Sequence, residues 1–412
     1  MGGVFVLLYL GNFLLAWPVT RWSGISNGEF LFGDFSWLSR WSNECRLDLS
    51  IPNLFSIYSQ IQTSDTCPGY NYGMPLLILL SVFPISWSSY VLIALIVGVV
   101  GLFSLGVFLA RSFEMTSRRR ILIILAVFSP GVLLLFERGN LDLIILLMVI
   151  LAGLLFKNKF VISALLVLSS ASLMKFYTAP LVLLIALVVK NRRQQVVAWI
   201  VTFITFVWVA IDMSRGPELP SEGFVQFGYS VLNHYFVWLG VLLQPLPSIL
   251  GFVIPMLVWA FLVINQRNLN WHSEKGLRAV TNSLSEDYVF LFTGLTFCAM
   301  FFVGLSYDYR LVFLAVAGVA LILKSSFGRG MNVFLWGSLL IALWGSGVLG
   351  NGIDFIPPTL KPALIGGFQL AGDLSVFLWV GILLYFCALV LANKIAWFSK
   401  ILGIVTLSTK SK

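Results

Sequence analysis

Apolar stretches long enough to cross a lipid bilayer recur along this chain, from its first residues almost to its last. A transmembrane helix needs roughly 20 mostly apolar residues to cross a hydrocarbon core about 30 Å thick. Of the 412 residues, 59% are hydrophobic and only 10% are charged, whereas an ordinary soluble domain carries about 25% charged residues. The sequence therefore predicts an all-α polytopic membrane protein.

The apolar pattern predicts about twelve transmembrane helices within a single integral membrane domain. The predicted helices cover residues 2–18, 89–110, 120–136, 140–156, 160–174, 177–190, 196–212, 247–265, 287–305, 310–323, 331–349 and 374–393 of the domain 1–412. No basic segment precedes the first helix and no cleavage signal follows it, so we expect a retained span. The first outer loop, residues 19–88, is rich in aromatics and is expected to carry interfacial helices. Within it, residues 74–84 are too short to span and are expected to dip into the membrane surface.

The distribution of charge predicts the orientation of the chain. With both termini on the cytoplasmic side, 18 of the 26 Lys and Arg residues fall in cytoplasmic segments and 13 of the 17 Asp and Glu residues fall outside. Cytoplasmic loops collect Lys and Arg, so this orientation is the expected one. Three long segments, 19–88, 213–246 and 350–373, then lie on the exoplasmic side. The same distribution explains the net charge of +9 without a nucleic-acid partner.

Charged and polar residues that interrupt or border the apolar spans gather on the predicted outer side. A charge at the centre of a transmembrane helix costs about 2.5–3.5 kcal/mol, so its presence needs a reason. The residues are Asp34 in the first outer loop and, in short turns, Glu137, Arg138, Asn140, Asp142, Lys175, Asp308 and Arg310. Because short turns keep polar groups at the helix ends, we expect a cavity that opens outward. Arg and Lys suit a phosphate ligand, and a carboxylate beside them suits proton abstraction from an alcohol.

Simpler interpretations exist for each of these charges. Asp34 could be a solvated loop residue, and Arg138 and Lys175 could extend to lipid headgroups. Asp308 and Arg310 could pair with each other. A transporter also remains open, because intramembrane charges mark substrate pathways as well.

Other chemistry has little support in the sequence. No Walker loop, CxxC pair or HExxH motif is present, and the two histidines, His234 and His272, are predicted on opposite sides of the membrane. A metal site is therefore disfavoured. Among the cysteines, Cys298 and Cys387 are expected to pack within spans. Cys45 and Cys67 share the first outer loop and could form a disulfide in an oxidising compartment.

Five short segments share their order and spacing with motifs of a known enzyme superfamily. They are GDF at 33–35, YNYGMPLL at 70–77, RGNLD at 138–142, LMKFY at 173–177 and SYDYRLV at 306–312. They resemble motifs of the GT-C glycosyltransferases, above all the polyprenyl-phosphate-mannose-dependent mannosyltransferases of the phosphatidylinositol-mannoside type. Two departures mean that the donor or acceptor can differ from mannosyl chemistry. Tyr309-Arg310 replaces a His-His pair, and Gly73-Met74 stands where that family has Pro.

The resemblance implies a polyprenyl-phosphate sugar donor that enters from the outer leaflet and gives mannose or a similar hexose to a lipid- or glycan-linked acceptor hydroxyl. It implies that Asp34 is the general base of a single inverting displacement. The phosphate ligands would be Arg138, Lys175 and Arg310, which oppose the developing negative charge. Sugar or acceptor contacts would come from Asn140, Asp142, Asp308, Tyr70 and Tyr72. Asn140 and Asp142 could instead hold Arg138 in place, and participation of a divalent cation stays open.

Two alternatives to this enzyme remain. A polysaccharide polymerase or ligase also has about a dozen spans and a large outer loop, but an early carboxylate such as Asp34 favours the GT-C enzyme. A lipid-linked sugar flippase or a solute transporter predicts charges at all membrane depths and on both sides, whereas the charges here gather outside.

Overall fold

The computed structural model describes most of the apolar part of the chain. The described residues are 39, 74–86, 89–112, 116–137, 140–215, 226–227, 231, 246–265, 283–284, 287–303, 306–307, 310–324, 327–345 and 361–395. The helices within them are α1 Met74–Val82, α2 Tyr90–Ser112, α3 Ser117–Val127, α4 Pro130–Glu137, α5 Asp142–Lys157, α6 Val161–Met174, α7 Ala179–Val188, α8 Arg192–Arg215, α9 Leu246–Ile264, α10 Tyr288–Val303, α11 Leu311–Lys324, α12 Arg329–Trp344 and α13 Lys361–Lys394. The all-α class is therefore confirmed.

Most helices begin and end within a few residues of the predicted positions, but the predicted helix over 120–136 is wrong. It is two helices, α3 and α4, because Pro130 interrupts the run. Proline has no backbone N–H to continue the helical ladder and is well tolerated at the first position of a helix. Phe128 closes α3 by donating its N–H to the Ile124 carbonyl at 2.8 Å, and α4 then starts at Pro130.

The last predicted helix starts too late. Helix α13 runs for 34 residues from Lys361 to Lys394, whereas the prediction began at residue 374. In the structure Asp373 is buried within the helix, at 5% exposure. Half of the predicted outer segment 350–373 is therefore helical.

Three described helices are long and apolar enough to cross a membrane. They cover Tyr90–Ser112, Arg192–Ile211 and Gly366–Lys394, and shorter apolar helices surround them. The apolar window of Gly366–Lys394 is 72% buried in the bundle, against 22% for that of Arg192–Ile211. Helix α13 is therefore central, while α8 presents side chains such as Phe203, at 71% exposure, to the surroundings. Large exposed apolar side chains on a helix surface fit contact with lipid.

Close helix packing depends on glycines. A Cβ on Gly153 of α5 would lie 3.0 Å from the Val289 Cα of α10. At the meeting of α12 and α13, a Cβ on Gly372 would lie 2.5 Å from the Gly345 carbonyl oxygen. Small residues at such crossings let helices in a membrane approach closely.

Several buried hydroxyl groups form hydrogen bonds within the bundle. Thr293 and Thr296 donate to carbonyls one turn earlier, at 2.7 and 2.8 Å. Between helices, the Thr205 hydroxyl of α8 donates to the Ser169 hydroxyl of α6 at 3.1 Å. Such bonds matter because no water is present in a hydrocarbon core to replace them. Cys298 and Cys387 are buried free thiols, as predicted. Cys45 and Cys67 lie outside the described residues.

One short strand pair accompanies the helices. Strand β1, Gln226–Phe227, pairs antiparallel with β2, Ser306–Tyr307, so that Gln226 lies opposite Tyr307. This pair ties the long segment after α8 to the connection between α10 and α11. The connection carries Arg310, which directly precedes α11.

Helix α11 defines the axis between two polar ends of the bundle. Every residue from Leu311 to Ile322 is buried, so α11 is enclosed by its neighbours. Arg310 precedes the helix and Lys324 ends it. Fourteen helical residues rise about 21 Å at 1.5 Å per residue. The two charged groups described below lie at these opposite ends.

Candidate functional site

A buried carboxylate is the centre of the candidate site. Asp142 is the first residue of α5 and its side chain is fully buried. Its backbone N–H donates to the Asn140 Oδ1 at 2.8 Å. Asn140, which is itself buried at 3% exposure, thus fixes the turn that starts α5. An acidic residue in the first turn also interacts favourably with the positive end of the helix dipole.

Lys175 reaches this carboxylate from the break between α6 and α7. Its backbone is extended, with φ −146° and ψ 115°, and its N–H still donates to the Ala171 carbonyl at the end of α6. A single 3-10 turn, Phe176–Thr178, then leads into α7. The Lys175 Nζ lies 3.0 Å from the Asp142 Oδ1, and the lysine side chain is 7% exposed. The sharp break directs the lysine to the bundle interior.

Hydroxyl groups brace this break. The Thr178 hydroxyl donates to the Lys175 carbonyl at 3.2 Å and lies 3.0 Å from the Ser172 hydroxyl. Ser172 also donates to the Leu168 carbonyl at 2.8 Å. Carbonyls at a helix C-terminus have no intrahelical partner, so these contacts satisfy groups that the break leaves open. The position of Lys175 is thus fixed by its neighbours.

Arg310 reaches the other oxygen of the same carboxylate. Its Nε lies 2.9 Å from the Asp142 Oδ2, and its side chain is 17% exposed. The contact joins residues 168 positions apart in the chain. Guanidinium–carboxylate hydrogen bonds are charge-assisted and directional, so they fix the orientation of the arginine fork.

Tyr177 is the member of the site that the sequence did not assign. Its hydroxyl donates to the Asp142 Oδ1 at 2.5 Å, and it is buried at 3% exposure. The Arg310 Cζ lies 5.4 Å from the centre of the Tyr177 ring, within the range of a cation–π contact. The ring packs edge-on against Phe313. Its sequence signal is its place at the end of the LMKFY segment, two residues after Lys175.

The Asp142 cluster, defined as Asp142, Lys175, Tyr177 and Arg310, combines two positive charges with one negative charge. Charges taken out of water are costly unless they are paired and hydrogen-bonded. Here both oxygens of one carboxylate are used to hold two cations in place. The cluster is thus a fixed electropositive group with its own internal counter-ion, which is a suitable arrangement for an anionic ligand.

Four of the predicted site residues lie close together in the structure, and the others are not among the described residues. Asn140, Asp142, Lys175 and Arg310 come from three separate turns and meet at one end of the bundle. The remaining predicted residues, Asp34, Tyr70, Tyr72, Arg138 and Asp308, lie outside the described residues. Asp308 lies outside the described residues, so its pairing with Arg310 stays a prediction beside the contact of Arg310 with Asp142.

Within the part of the chain that the structure describes, no group of three or more His, Cys, Asp or Glu side chains could hold a metal ion. With two cations and one carboxylate, the Asp142 cluster has the composition of an anion site. A comparison of the chain with protein-family models, curated proteins and solved structures found no match.

Proposed function

We propose that this protein is a GT-C type glycosyltransferase that moves a hexose, mannose or a similar sugar, from a polyprenyl-phosphate donor to an acceptor hydroxyl. The observation that carries the proposal is the meeting of Lys175 and Arg310 on the buried Asp142, at 3.0 and 2.9 Å. Two cations held at the end of an apolar bundle suit the phosphate of a donor whose lipid chain lies in the membrane.

The charges of the cluster supply what the reaction requires. As the sugar leaves, the bond between its anomeric carbon and the phosphate oxygen breaks and negative charge grows on the phosphate. Fixed cations stabilise this charge because they need no reorganisation during the reaction. Lys175 and Arg310 are proposed to bind the phosphate, together with Arg138. Asp142 is proposed to act as their counter-ion and to keep both side chains in position.

The acceptor side of the reaction is assigned to residues of the outer loops. The acceptor oxygen forms the new bond to the anomeric carbon and gives its proton to Asp34, the proposed general base. A single displacement of this kind inverts the anomeric centre. Asn140, Asp308, Tyr70 and Tyr72 are proposed to contact the sugar or the acceptor. The reaction as written needs no metal, and a divalent cation beside the phosphate is an optional addition.

The proposal includes a topology. We propose about twelve transmembrane helices in a cell-membrane protein with both termini cytoplasmic and the Asp142 cluster at the exoplasmic surface. A cysteine introduced at residue 220 should react with an impermeant thiol reagent in intact cells, and a cysteine at residue 116 should react only after the cells are opened. Labelling of residue 116 in intact cells would contradict the orientation.

A transfer assay tests the activity. Purified protein in proteoliposomes is given a polyprenyl-phosphate donor with a radiolabelled mannose, together with a membrane extract as the source of acceptor. We expect Asp34→Asn to abolish transfer, at a loss of about 100-fold or more, while the protein inserts and purifies normally. Lys190→Gln is the matched control, because Lys190 is exposed at the end of α7 and outside the Asp142 cluster. Full activity of Asp34→Asn would remove Asp34 as the base.

The same preparation separates the alternatives. Movement of a labelled lipid-linked sugar between leaflets without any transfer would favour a flippase or transporter, for which a buried ion pair is also suitable. Transfer that requires a polyprenyl diphosphate donor would favour a polysaccharide polymerase or ligase.

A further inference from the structure

Three helices end in lysine at the end of the bundle opposite the Asp142 cluster. Lys157, Lys324 and Lys394 lie in the last turns of α5, α11 and α13. A fourth lysine, Lys159, follows α5 directly in the turn to α6. These four residues are called the lysine end below.

Contacts around the start of α10 bring the three helix ends together. The Lys324 Nζ lies 2.5 Å from the Asp287 Oδ2, and the Lys394 Nζ lies 2.8 Å from the Tyr288 hydroxyl. The Phe156 ring packs edge-on against the Tyr288 ring, with 4.6 Å between ring centres. The ends of α5, α11 and α13 therefore all lie beside the first residues of α10.

General rules explain three of the four lysines. A cation in the last turn of a helix interacts favourably with the negative end of the helix dipole. Lysines also collect on the cytoplasmic side of membrane proteins. Lys157, Lys324 and Lys394 satisfy both rules, so their presence alone indicates no ligand. Lys159 lies outside the helix, so only the second rule applies to it, and that rule does not explain why a lysine adopts its backbone conformation.

Lys159 adopts a backbone conformation that lysine disfavours. Its φ is 67°, and no other described non-glycine residue has a positive φ. The Lys159 N–H donates to the Phe156 carbonyl at 3.0 Å, and the Phe160 N–H donates to the Leu155 carbonyl at 2.9 Å. This is the pattern of a Schellman motif, in which glycine is the usual residue. The left-handed conformation costs a residue with a Cβ roughly 1 kcal/mol, a cost that glycine avoids.

The turn around Lys159 faces outward. Lys157, Lys159 and Phe160 are all exposed, with Phe160 at 60% exposure. Leu154, one turn earlier on α5, is also exposed, at 36%. Exposed lysines next to exposed apolar side chains match the two parts of a phospholipid, a phosphate headgroup and an acyl chain. Among the described residues, Asp287 pairs with Lys324 of the lysine end, while Lys157 and Lys159 are exposed.

We propose that the lysine end binds the headgroup phosphate of an anionic phospholipid. Lys157 and Lys159 contact the phosphate, and Phe160 and Leu154 contact the acyl chain. Lys394 and Lys324 complete the positive surface from the neighbouring helix ends. The unfavourable backbone of Lys159 is retained because its ammonium group contacts the lipid. This site lies about 21 Å from the Asp142 cluster along α11, so it does not depend on the proposed enzyme activity.

A lipid titration tests the proposal. Purified full-length protein in a neutral detergent is titrated with phosphatidylglycerol, phosphatidylcholine or inorganic phosphate, and each affinity is measured. We expect tight binding of phosphatidylglycerol only. Lys159→Gly should weaken this binding about fivefold, which corresponds to about 1 kcal/mol per basic residue near an anionic lipid. Lys190→Gln, which removes an exposed lysine at another turn, should leave it unchanged.

Thermal unfolding without added lipid separates binding from folding. Because glycine adopts positive φ without strain, Lys159→Gly should unfold at the same temperature as the wild type or higher. Lys159→Gln removes the charge but keeps the strain, and should lose the same binding. Equal affinity for phosphatidylglycerol and phosphatidylcholine would overturn the proposal. So would unchanged binding in both Lys159 variants, or equal binding of inorganic phosphate, which would indicate a free anion as the ligand.

Discussion

The two ends of the bundle use the same residue types in different environments. In the Asp142 cluster, one fully buried carboxylate holds both Lys175 and Arg310. At the other end, Asp287, whose side chain is 9% exposed, pairs with Lys324, whose side chain is 22% exposed. Asp287 also accepts the Phe290 N–H at 3.0 Å and so caps helix α10. The first arrangement holds two cations on one acid, and among the described residues the second combines a helix cap with an ion pair to a partly exposed lysine.

This comparison shows how environment decides the role of a charge. An ion pair near solvent contributes about 0–1 kcal/mol, whereas removal of one partner of a buried pair costs about 3–5 kcal/mol. The Asp142 cluster therefore depends on each of its members. At the lysine end, Lys157 and Lys159 are exposed, so we expect their exchange to have little effect on the fold.

The largest expected difference in stability is between variants of the two carboxylates, Asp142 and Asp287. Asp142→Asn leaves Lys175 and Arg310 buried beside a neutral amide, so we expect a loss of about 3–5 kcal/mol in the free energy of unfolding. Asp287→Asn keeps a residue that caps helices well and should lose about 1 kcal/mol. Denaturation of both variants in the same detergent measures the difference. Equal losses of stability would show that the two carboxylates contribute equally to the fold, which contradicts the comparison.

A smaller difference is expected between the two tyrosines. Tyr177→Phe removes a buried hydrogen bond to a charged group and should cost about 1.5–3 kcal/mol. Tyr288→Phe removes the hydroxyl that contacts Lys394 in a partly buried place, and should cost about 0.5–1 kcal/mol. Both variants keep the ring and its aromatic contacts. The same denaturation experiment applies, and a Tyr288→Phe loss equal to that of Tyr177→Phe would contradict the prediction.

The smallest changes in the free energy of unfolding are expected when one basic residue replaces another. Arg310→Lys keeps the charge but loses the Nε contact to Asp142 and the broad guanidinium face over Tyr177, so we expect a loss of about 1 kcal/mol. Lys324→Arg at the other end should change stability by less than about 0.5 kcal/mol. If Arg310→Lys leaves the free energy of unfolding unchanged, the planar geometry of the guanidinium group is not used in the cluster.

Part of the site could be predicted because charged residues are rare within or beside apolar transmembrane segments. Asp142, Lys175 and Arg310 are charges at the ends of apolar helices, and the short turns that hold them limit how far apart they can lie. Tyr177 could not be predicted in the same way, because an aromatic residue in an apolar run has many possible environments. Its hydroxyl finds Asp142 only once α5 and α7 are packed.

The two errors in the helix boundaries have different causes. The apolar run through Pro130 is continuous, so hydropathy favoured one helix where proline chemistry gives two. The first part of α13 includes the buried Asp373, and its burial depends on neighbouring helices that the sequence does not specify.

The affinity for the donor tests the central claim most directly. Binding of a polyprenyl-phosphate mannose is measured for the wild type, Lys175→Met and Arg310→Met, with Lys190→Met as a control, because Lys190 is exposed and lies outside both the Asp142 cluster and the lysine end. We expect each cluster variant to bind the donor at least about tenfold more weakly, since each loses a charge-assisted contact to phosphate, and the control to bind normally. Unchanged affinity in both cluster variants would contradict the assignment of the Asp142 cluster as a phosphate site.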